Sequence, residues 1–310
     1  MKSPRRNFLF LEAASFKPLA ILRIGMAAIL LAQVQVLWRY RDLLMDEFGP
    51  VPWVLSDRLL DPLLPRLSYV TAWLAPYGVS SGAVVTAFLA VHTIAVVLLA
   101  AGYRTRIAAI AAWATYLPLR YAGHLYFYGI GGMLLIGLFY CMFLPVGREW
   151  SLDSRREMER AKDGNEALDA SLSVAVLRIH MCIVYLAAGI SKSVGDQWWS
   201  GDAIWRALSL PRFQQFDLSQ ISAFPLVLQA ATVGAVLVQV AYPVLVWTPL
   251  RAVIVLFAEL IHVAIAVLLG LWLFSAVMIV LNVAAFGESL WKAFQRWTHA
   301  PPPQPLPGPS

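Results

Sequence analysis

The sequence predicts an all-α integral membrane protein, a bundle of about eight transmembrane helices with additional segments at the outer interface. Of its 310 residues, 60% are hydrophobic and only 14% are charged, whereas soluble domains average about a quarter charged. Apolar runs long enough to cross a bilayer recur along the whole chain, and no polar stretch of domain size separates them. Any chemistry is therefore expected within the membrane part.

The apolar runs give the predicted order of the membrane spans. About 20 apolar residues cross a bilayer, and this rule places spans at 18–37, 82–101, 107–119, 128–145, 172–191, 226–247, 252–269 and 271–286. We therefore predict a short N-terminal segment (1–17), one transmembrane domain (18–286) and a proline-rich tail (287–310).

The basic residues predict the orientation in the membrane. Most of the 24 lysines and arginines lie in segments on the same side as the N-terminus, so both termini are predicted to be cytoplasmic in the inner (plasma) membrane. The long connections 38–81 and 192–225 then face outward. They mix aromatic residues with charges, as interfacial segments do, and "WWSGDAIWRAL" is typical of a short amphipathic helix.

The net charge and the two cysteines indicate which binding partners to expect. The net charge of +6 comes mainly from short loops that set orientation, so the expected partners are membrane lipids and no nucleic acid. Cys141 and Cys182 lie inside apolar runs without the spacing of a metal site. No metal is predicted.

A short internal similarity suggests a repeat. "LRIGMA" at Leu22 and "LRIHMC" at Leu177 occupy the same place in two spans, each of which leads to a long outer loop. Two parallel four-helix repeats would explain this similarity, and chance matching in an apolar chain is the alternative. Arg23 and Arg178 within these strings are expected to be structural anchors.

Ionisable residues inside apolar runs are the candidates for function. Glu259 and His262 are three residues apart and share a helix face. They could bind a polar substrate group or merely satisfy each other. The predicted third span is short, so the turn carrying Arg120, His124 and Tyr126 should lie below the outer surface, as the wall of a cavity. An interfacial aromatic belt is the alternative for the tyrosine.

Lys192 ends a span and is followed by Trp198 and Trp199. A lysine at this position commonly extends its ammonium group to the lipid headgroups. A lysine kept from water loses its proton more easily and can serve as a general base. Position alone leaves both interpretations open.

Three strings together resemble a known family: "AAGISKSVGDQWWSGDAIW" from Ala187, "HLYFYG" from His124 and "ELIHVAIAVLLGLWLFSAVM" from Glu259. They are similar to the membrane domain of vitamin K-dependent gamma-carboxylase and to its bacterial relatives, the horizontally transferred transmembrane (HTTM) domain proteins. The resemblance implies that Lys192 is the base that deprotonates a reduced quinone of the menaquinone or vitamin K type. It also implies that His124 supports this base and that His262 belongs to the same site.

The resemblance further implies the reaction. The deprotonated quinol reacts with dioxygen, and the strongly basic alkoxide that results removes a proton from a glutamate side chain. Carbon dioxide then adds to the carbanion, while the quinone becomes an epoxide. Arg120, Tyr126, Glu259 and His262 are expected to bind the quinol, and Trp198 and Trp199 to shelter its ring.

The proline-rich tail is the only segment after the last apolar run. The expected substrate is therefore a peptide, a lipid or a small molecule. The alternative is a non-enzymatic membrane protein of the same fold, which binds quinone or lipid or acts in peptide export or immunity.

Overall fold

The computed structural model describes residues 14–122, 129–157, 166–217 and 223–298, and within these ranges the chain is helical and contains no strand. The α-helices in these ranges are α1 (Lys17–Arg39), α2 (Arg41–Leu44), α3 (Trp53–Leu59), α4 (Leu67–Leu74), α5 (Ser81–Ala101), α6 (Thr105–Ala122), α7 (Ile130–Phe143), α8 (Leu152–Glu157), α9 (Glu166–Ser193), α10 (Asp196–Ser200), α11 (Asp202–Ser209), α12 (Pro225–Leu245), α13 (Arg251–Leu269), α14 (Trp272–Asn282) and α15 (Glu288–Thr298). A π-helical turn, Val283–Gly287, joins α14 to α15. The predicted all-α membrane bundle is confirmed.

The number of full-length spans differs from the prediction. Within the described ranges, six helical stretches are long and apolar enough to cross a membrane: α1, α5, α12, α13, Leu168–Ser193 of α9 and Trp272–Lys292. The predicted third and fourth spans form α6, which carries Arg106 and Arg120, and α7, which has only 14 residues. At about 1.5 Å per residue, α7 is shorter than the apolar core of a bilayer.

Helix α1 lies at the centre of the bundle. It packs against α5, α7, α9 and α14, and its Leu22, Met26 and Leu30 are completely buried. A Cβ atom at Gly25 would lie 2.6 Å from the side chain of Val280. A glycine here therefore allows α1 to approach α14 closely, which joins the two halves of the chain.

Two buried arginines anchor the two halves. Arg23 of α1 donates hydrogen bonds to five backbone carbonyls, those of Val146, Leu99, Ala100, Glu149 and Trp150. Its Nε reaches Val146, three residues after the end of α7, and Nε of Arg178 reaches Ala285, three residues after the end of α14. These corresponding bonds support the repeat and the predicted anchoring role of both arginines.

We call the side of the bundle on which α1 begins the proximal side, and the side on which α1 ends the distal side. On the distal side, Trp53 of α3 and Leu67 of α4 pack onto α5 and α6. The predicted "WWSGDAIWRAL" helix is divided into α10 and α11 at Gly201. Gly201 has φ +93°, and a Cβ atom there would lie 2.8 Å from Gln229 of α12, so both backbone and space require glycine.

Candidate functional site

A chain of hydrogen bonds between buried side chains crosses the second half of the bundle. The Tyr242 hydroxyl donates to Oδ1 of Asn282 at 2.5 Å, and Nδ2 of Asn282 donates to the Tyr185 hydroxyl at 2.7 Å. The Tyr185 hydroxyl lies 2.9 Å from Nε2 of His262. The chain therefore connects α12, α14, α9 and α13 in one network.

The network fixes the hydrogen positions on His262. Because the Tyr185 oxygen accepts from Asn282, its own proton is free to be donated to Nε2 of His262. Nε2 is then the acceptor nitrogen of a neutral imidazole, and Nδ1 carries the N–H group. The network thus presents a single hydrogen-bond donor at Nδ1.

Tight packing holds the network in place. The exposed fractions of Tyr185, Asn282 and His262 are 2%, 0% and 4%. The rings of Tyr185 and Tyr242 stack with centroids 4.0 Å apart, and Phe274 meets the imidazole edge to face at 5.9 Å. Stacked rings and shared hydrogen bonds leave these side chains little rotational freedom.

Two adjacent groups of α13 are left without partners. Nδ1 of His262 and both carboxylate oxygens of Glu259, one turn away, are buried and make no hydrogen bond of normal length with another described residue, although the carboxylate lies near the side chain of Asn282. Glu259 is close enough to interact electrostatically with Tyr185 and Tyr242. Since buried polar groups are nearly always satisfied, these atoms indicate a place for a bound polar molecule.

Lys192 lies in the last turn of α9, at the distal end of this site. Its half-buried Nζ donates to the carbonyl of Ala188 at 3.5 Å and lies 5.2 Å from the ring centroid of Trp198. The hydrogen bond is at the limit of useful length. The charge of Lys192 acts on His262 electrostatically. Lys192 is therefore within electrostatic range of His262.

The structure places the other predicted site residues differently. Nε1 of Trp199, which is 45% exposed, donates to the carbonyl of Ser193 at 2.8 Å and so ties α10 to the end of α9. Arg120 packs on Gly131, and its guanidinium lies 5.4 Å from the ring of Tyr121. Among the described residues, no hydrogen bond or ion pair joins Arg120 to the carboxylate of Glu259. His124 and Tyr126 lie outside the described residues.

Tyr185, Tyr242 and Asn282 were not among the residues predicted from the sequence. Tyr185 is seven residues before Lys192 and therefore on the same face of α9, a spacing that could have revealed it. Asn282 stands alone among apolar residues in "IVLNVAAF". A single amide side chain inside an apolar span is the feature that could have revealed Asn282.

The unpartnered side chains offer both a donor and an acceptor to an organic ligand. No group of three or more histidine, cysteine or acidic side chains that could hold a metal occurs in the part of the chain that the structure describes. The unpartnered N–H group and carboxylate instead match a ligand that has both hydrogen-bond acceptors and donors.

Comparison with known proteins gave one match. The sequence profile of the HTTM domain matches residues 57–291. No curated protein and no solved structure matches the chain.

Proposed function

Because this profile covers most of its length, the chain belongs to the HTTM domain family, and we propose that it is a quinol-dependent membrane enzyme in which Lys192 is the base. The family makes it a multi-pass membrane protein related to the membrane domain of the gamma-carboxylase. The proposed substrate is a peptide, a lipid or a small molecule.

The observation that carries the proposal is the pair of unpartnered buried groups on α13, of which His262 is within electrostatic range of Lys192. Nδ1 of His262 offers a donor, and the carboxylate of Glu259 offers an acceptor. A reduced quinone has hydroxyl groups that both donate and accept, so it satisfies both groups without a charge of its own. The residues therefore fit this cofactor.

Each side chain then has a defined task. His262 donates from Nδ1 to a ligand oxygen, and Tyr185 keeps that tautomer in place through Nε2. Glu259 accepts from a ligand hydroxyl, and Lys192 accepts the proton at Nζ. Trp198 covers the distal side of Lys192. When bound, the reduced quinone supplies the electrons for reaction with dioxygen.

The test of the base uses a variant that keeps the charge. Arginine stays protonated, so Lys192→Arg preserves an anchor and removes a base. With a reduced menaquinone analogue and oxygen, the wild type should form the quinone epoxide, detected by mass spectrometry. Lys192→Arg should lose this product and retain the quinone. The matched control is Lys292→Arg, whose lysine is 2.7 Å from Glu288 and lies on the proximal side. Full activity of Lys192→Arg would overturn the assignment.

Ligand binding is tested separately from turnover. Lipids extracted from the gently purified protein should contain a quinone, and His262→Phe together with Glu259→Leu should remove it. A preparation that contains only phospholipid contradicts the quinone site itself. Retention of quinone by the double variant would place the ligand elsewhere.

A second function is favoured by one contact. The ammonium of Lys192 lies 5.2 Å from the ring centroid of Trp198, a cation–π contact that stabilises the charged lysine. On this observation the protein binds quinone or lipid without catalysis, or acts in peptide export or immunity, and Lys192 is a ligand contact. A wild type that retains quinone and forms no epoxide with any substrate class would favour this function.

The orientation is also part of the proposal. We place the protein in the inner membrane with both termini cytoplasmic, so that the distal side faces outward. A Ser200→Cys variant should then react with an impermeant thiol reagent in intact cells. The natural Cys141 is buried and Cys182 is half-buried, so the parent chain is the control. Labelling only after lysis would reverse the orientation.

A further inference from the structure

A cavity opens on the proximal side, away from Lys192. It has a volume of about 560 Å³ and lies between the beginning of α6, the end of α7 with its following loop, and the first turns of α9. This volume is within the range of about 300–1,000 Å³ that is usual for small-molecule sites. Nothing in the proposed quinol chemistry uses it.

The walls of this proximal cavity are held rigidly. Val146 lines it, and the carbonyl of Val146 accepts from the buried guanidinium of Arg23. Asp153 also lines it, and its carboxylate accepts from the backbone amides of Arg104 and Thr105 at 2.8 Å each. The loop and the beginning of α6 are therefore fixed before any ligand binds, which lowers the entropic cost of binding.

The charges that line the proximal cavity are balanced. They are two guanidinium groups, from Arg106 and Arg148, and two carboxylates, from Asp153 and Asp169. The carboxylate of Asp153 already accepts hydrogen bonds from Arg104 and Thr105 at the beginning of α6. Arg106 and Asp169 line the same space without an ion pair or hydrogen bond between their side chains, and neither side chain has one with another described residue. Two separated opposite charges suit a ligand that carries both signs.

Apolar side chains connect the cavity to the lipid. Phe143 and Leu172 line it and are 60% and 46% exposed on the surface of the bundle. The cavity lies where α6 and α9 begin, so its polar part is at the depth of the headgroups. An amphiphile can thus place its head in the cavity and its chains along these two residues.

We propose that the proximal cavity binds the headgroup of a zwitterionic phospholipid of the phosphatidylethanolamine type. Arg106 binds the phosphate through charge-assisted hydrogen bonds, and Asp169 accepts from the ammonium group. A phosphatidylglycerol headgroup satisfies Arg106 but offers Asp169 only neutral hydroxyl donors in place of an ammonium group. The site therefore selects the zwitterionic lipid over the anionic one.

The test measures lipid retention by native mass spectrometry of the purified full chain with equal amounts of phosphatidylethanolamine and phosphatidylglycerol. Arg106→Gln should reduce bound phosphatidylethanolamine about tenfold, since it removes hydrogen bonds between charged groups. Asp169→Asn should reduce phosphatidylethanolamine and leave phosphatidylglycerol unchanged, so the ratio of the two falls. Arg58→Gln, an exposed arginine of the distal α3, is the matched control.

A variant without a charge change tests the position of the lipid. Leu172→Trp narrows the cavity at an exposed position, so the fold should be retained while both lipids are lost from this site. An unchanged lipid ratio in Asp169→Asn, or an equal effect of Arg58→Gln, would overturn the headgroup assignment. Unchanged lipid binding in Leu172→Trp would show that the lipid lies outside the cavity.

Discussion

The hydrogen bond between Tyr242 and Asn282 allows the buried network to be tested by a double-mutant cycle. Asn282→Leu removes the acceptor of the Tyr242 hydroxyl and one donor to Tyr185, in a place with no exposed surface. Hydrogen bonds between membrane helices contribute about 0.6 kcal/mol on average. The larger effect here is the buried hydroxyl that is left unpaired, which costs about 1–3 kcal/mol. We therefore expect Asn282→Leu to lower the free energy of unfolding by about 1–3 kcal/mol.

The second variant and the pair complete the cycle. Tyr242→Phe leaves Oδ1 of Asn282 unpaired and should destabilise by a similar amount. With both changes no hydroxyl–amide pair remains to be broken, so the effects should be less than additive by about 0.5–1.5 kcal/mol. The assay is reversible unfolding of the full chain in mixed micelles. Tyr77→Phe, at a tyrosine that is 76% exposed, is the control and should change little.

Additivity within about 0.3 kcal/mol would refute the reasoning. The hydroxyl and the amide would then be independent, and the tautomer assigned to His262 would lose its basis. A large coupling combined with normal quinone retention in Asn282→Leu would show that the network stabilises the fold and is not required for quinone binding.

Three further predictions concern the supports of the fold. Gly201→Ala should destabilise the protein by about 1–3 kcal/mol, because Gly201 has a positive φ and a Cβ atom there would meet Gln229. Gly234→Ala is the control in the same unfolding assay: it has open space around it and should be neutral or stabilising. Arg23→Lys should lower the thermal midpoint strongly, since the three donors of an ammonium group cannot meet five carbonyls; an unchanged midpoint would contradict these bonds. Partial burial raises the pKa of Asp153, but hydrogen bonds from the first turn of α6 outweigh it and hold that pKa below its usual range. This stabilisation is present above about pH 4 and is lost as pH falls through the lowered pKa, so Asp153→Asn should melt with a flatter acid profile, and identical profiles would contradict it.

Hydropathy predicted the bundle because the free energy of transferring a segment from water into the membrane depends mainly on the composition of that segment. The same rule overestimated the full-length spans, since an apolar run does not show how long and how apolar the helix that contains it is: α7 has only 14 residues, and α6 includes Arg106 and Arg120. The break at Gly201 was also missed. Its cause is the approach of Gln229, a residue distant in sequence.

The site was predictable to the extent that its residues carry charge. Lys192, Glu259 and His262 stand out in apolar runs because an ionisable group is costly there. Tyr185 and Asn282 cost less free energy to bury than a charged residue, so they do not stand out in the sequence. The hydrogen bond between them forms only because α9 and α14 pack side by side in the folded protein. The roles of Arg120, His124 and Tyr126 stay predictions.

The bonds of Arg23 have a consequence for biosynthesis. Its most distant partner along the chain, the carbonyl of Trp150, is 127 residues further on. At about 5–20 residues per second, the ribosome needs roughly 6–25 s to deliver that carbonyl after Arg23 has been made. During this interval the first helix carries a cation that lipid does not accept. The nascent protein must therefore keep α1 beside water, headgroups or the insertion machinery until the loop after α7 has emerged.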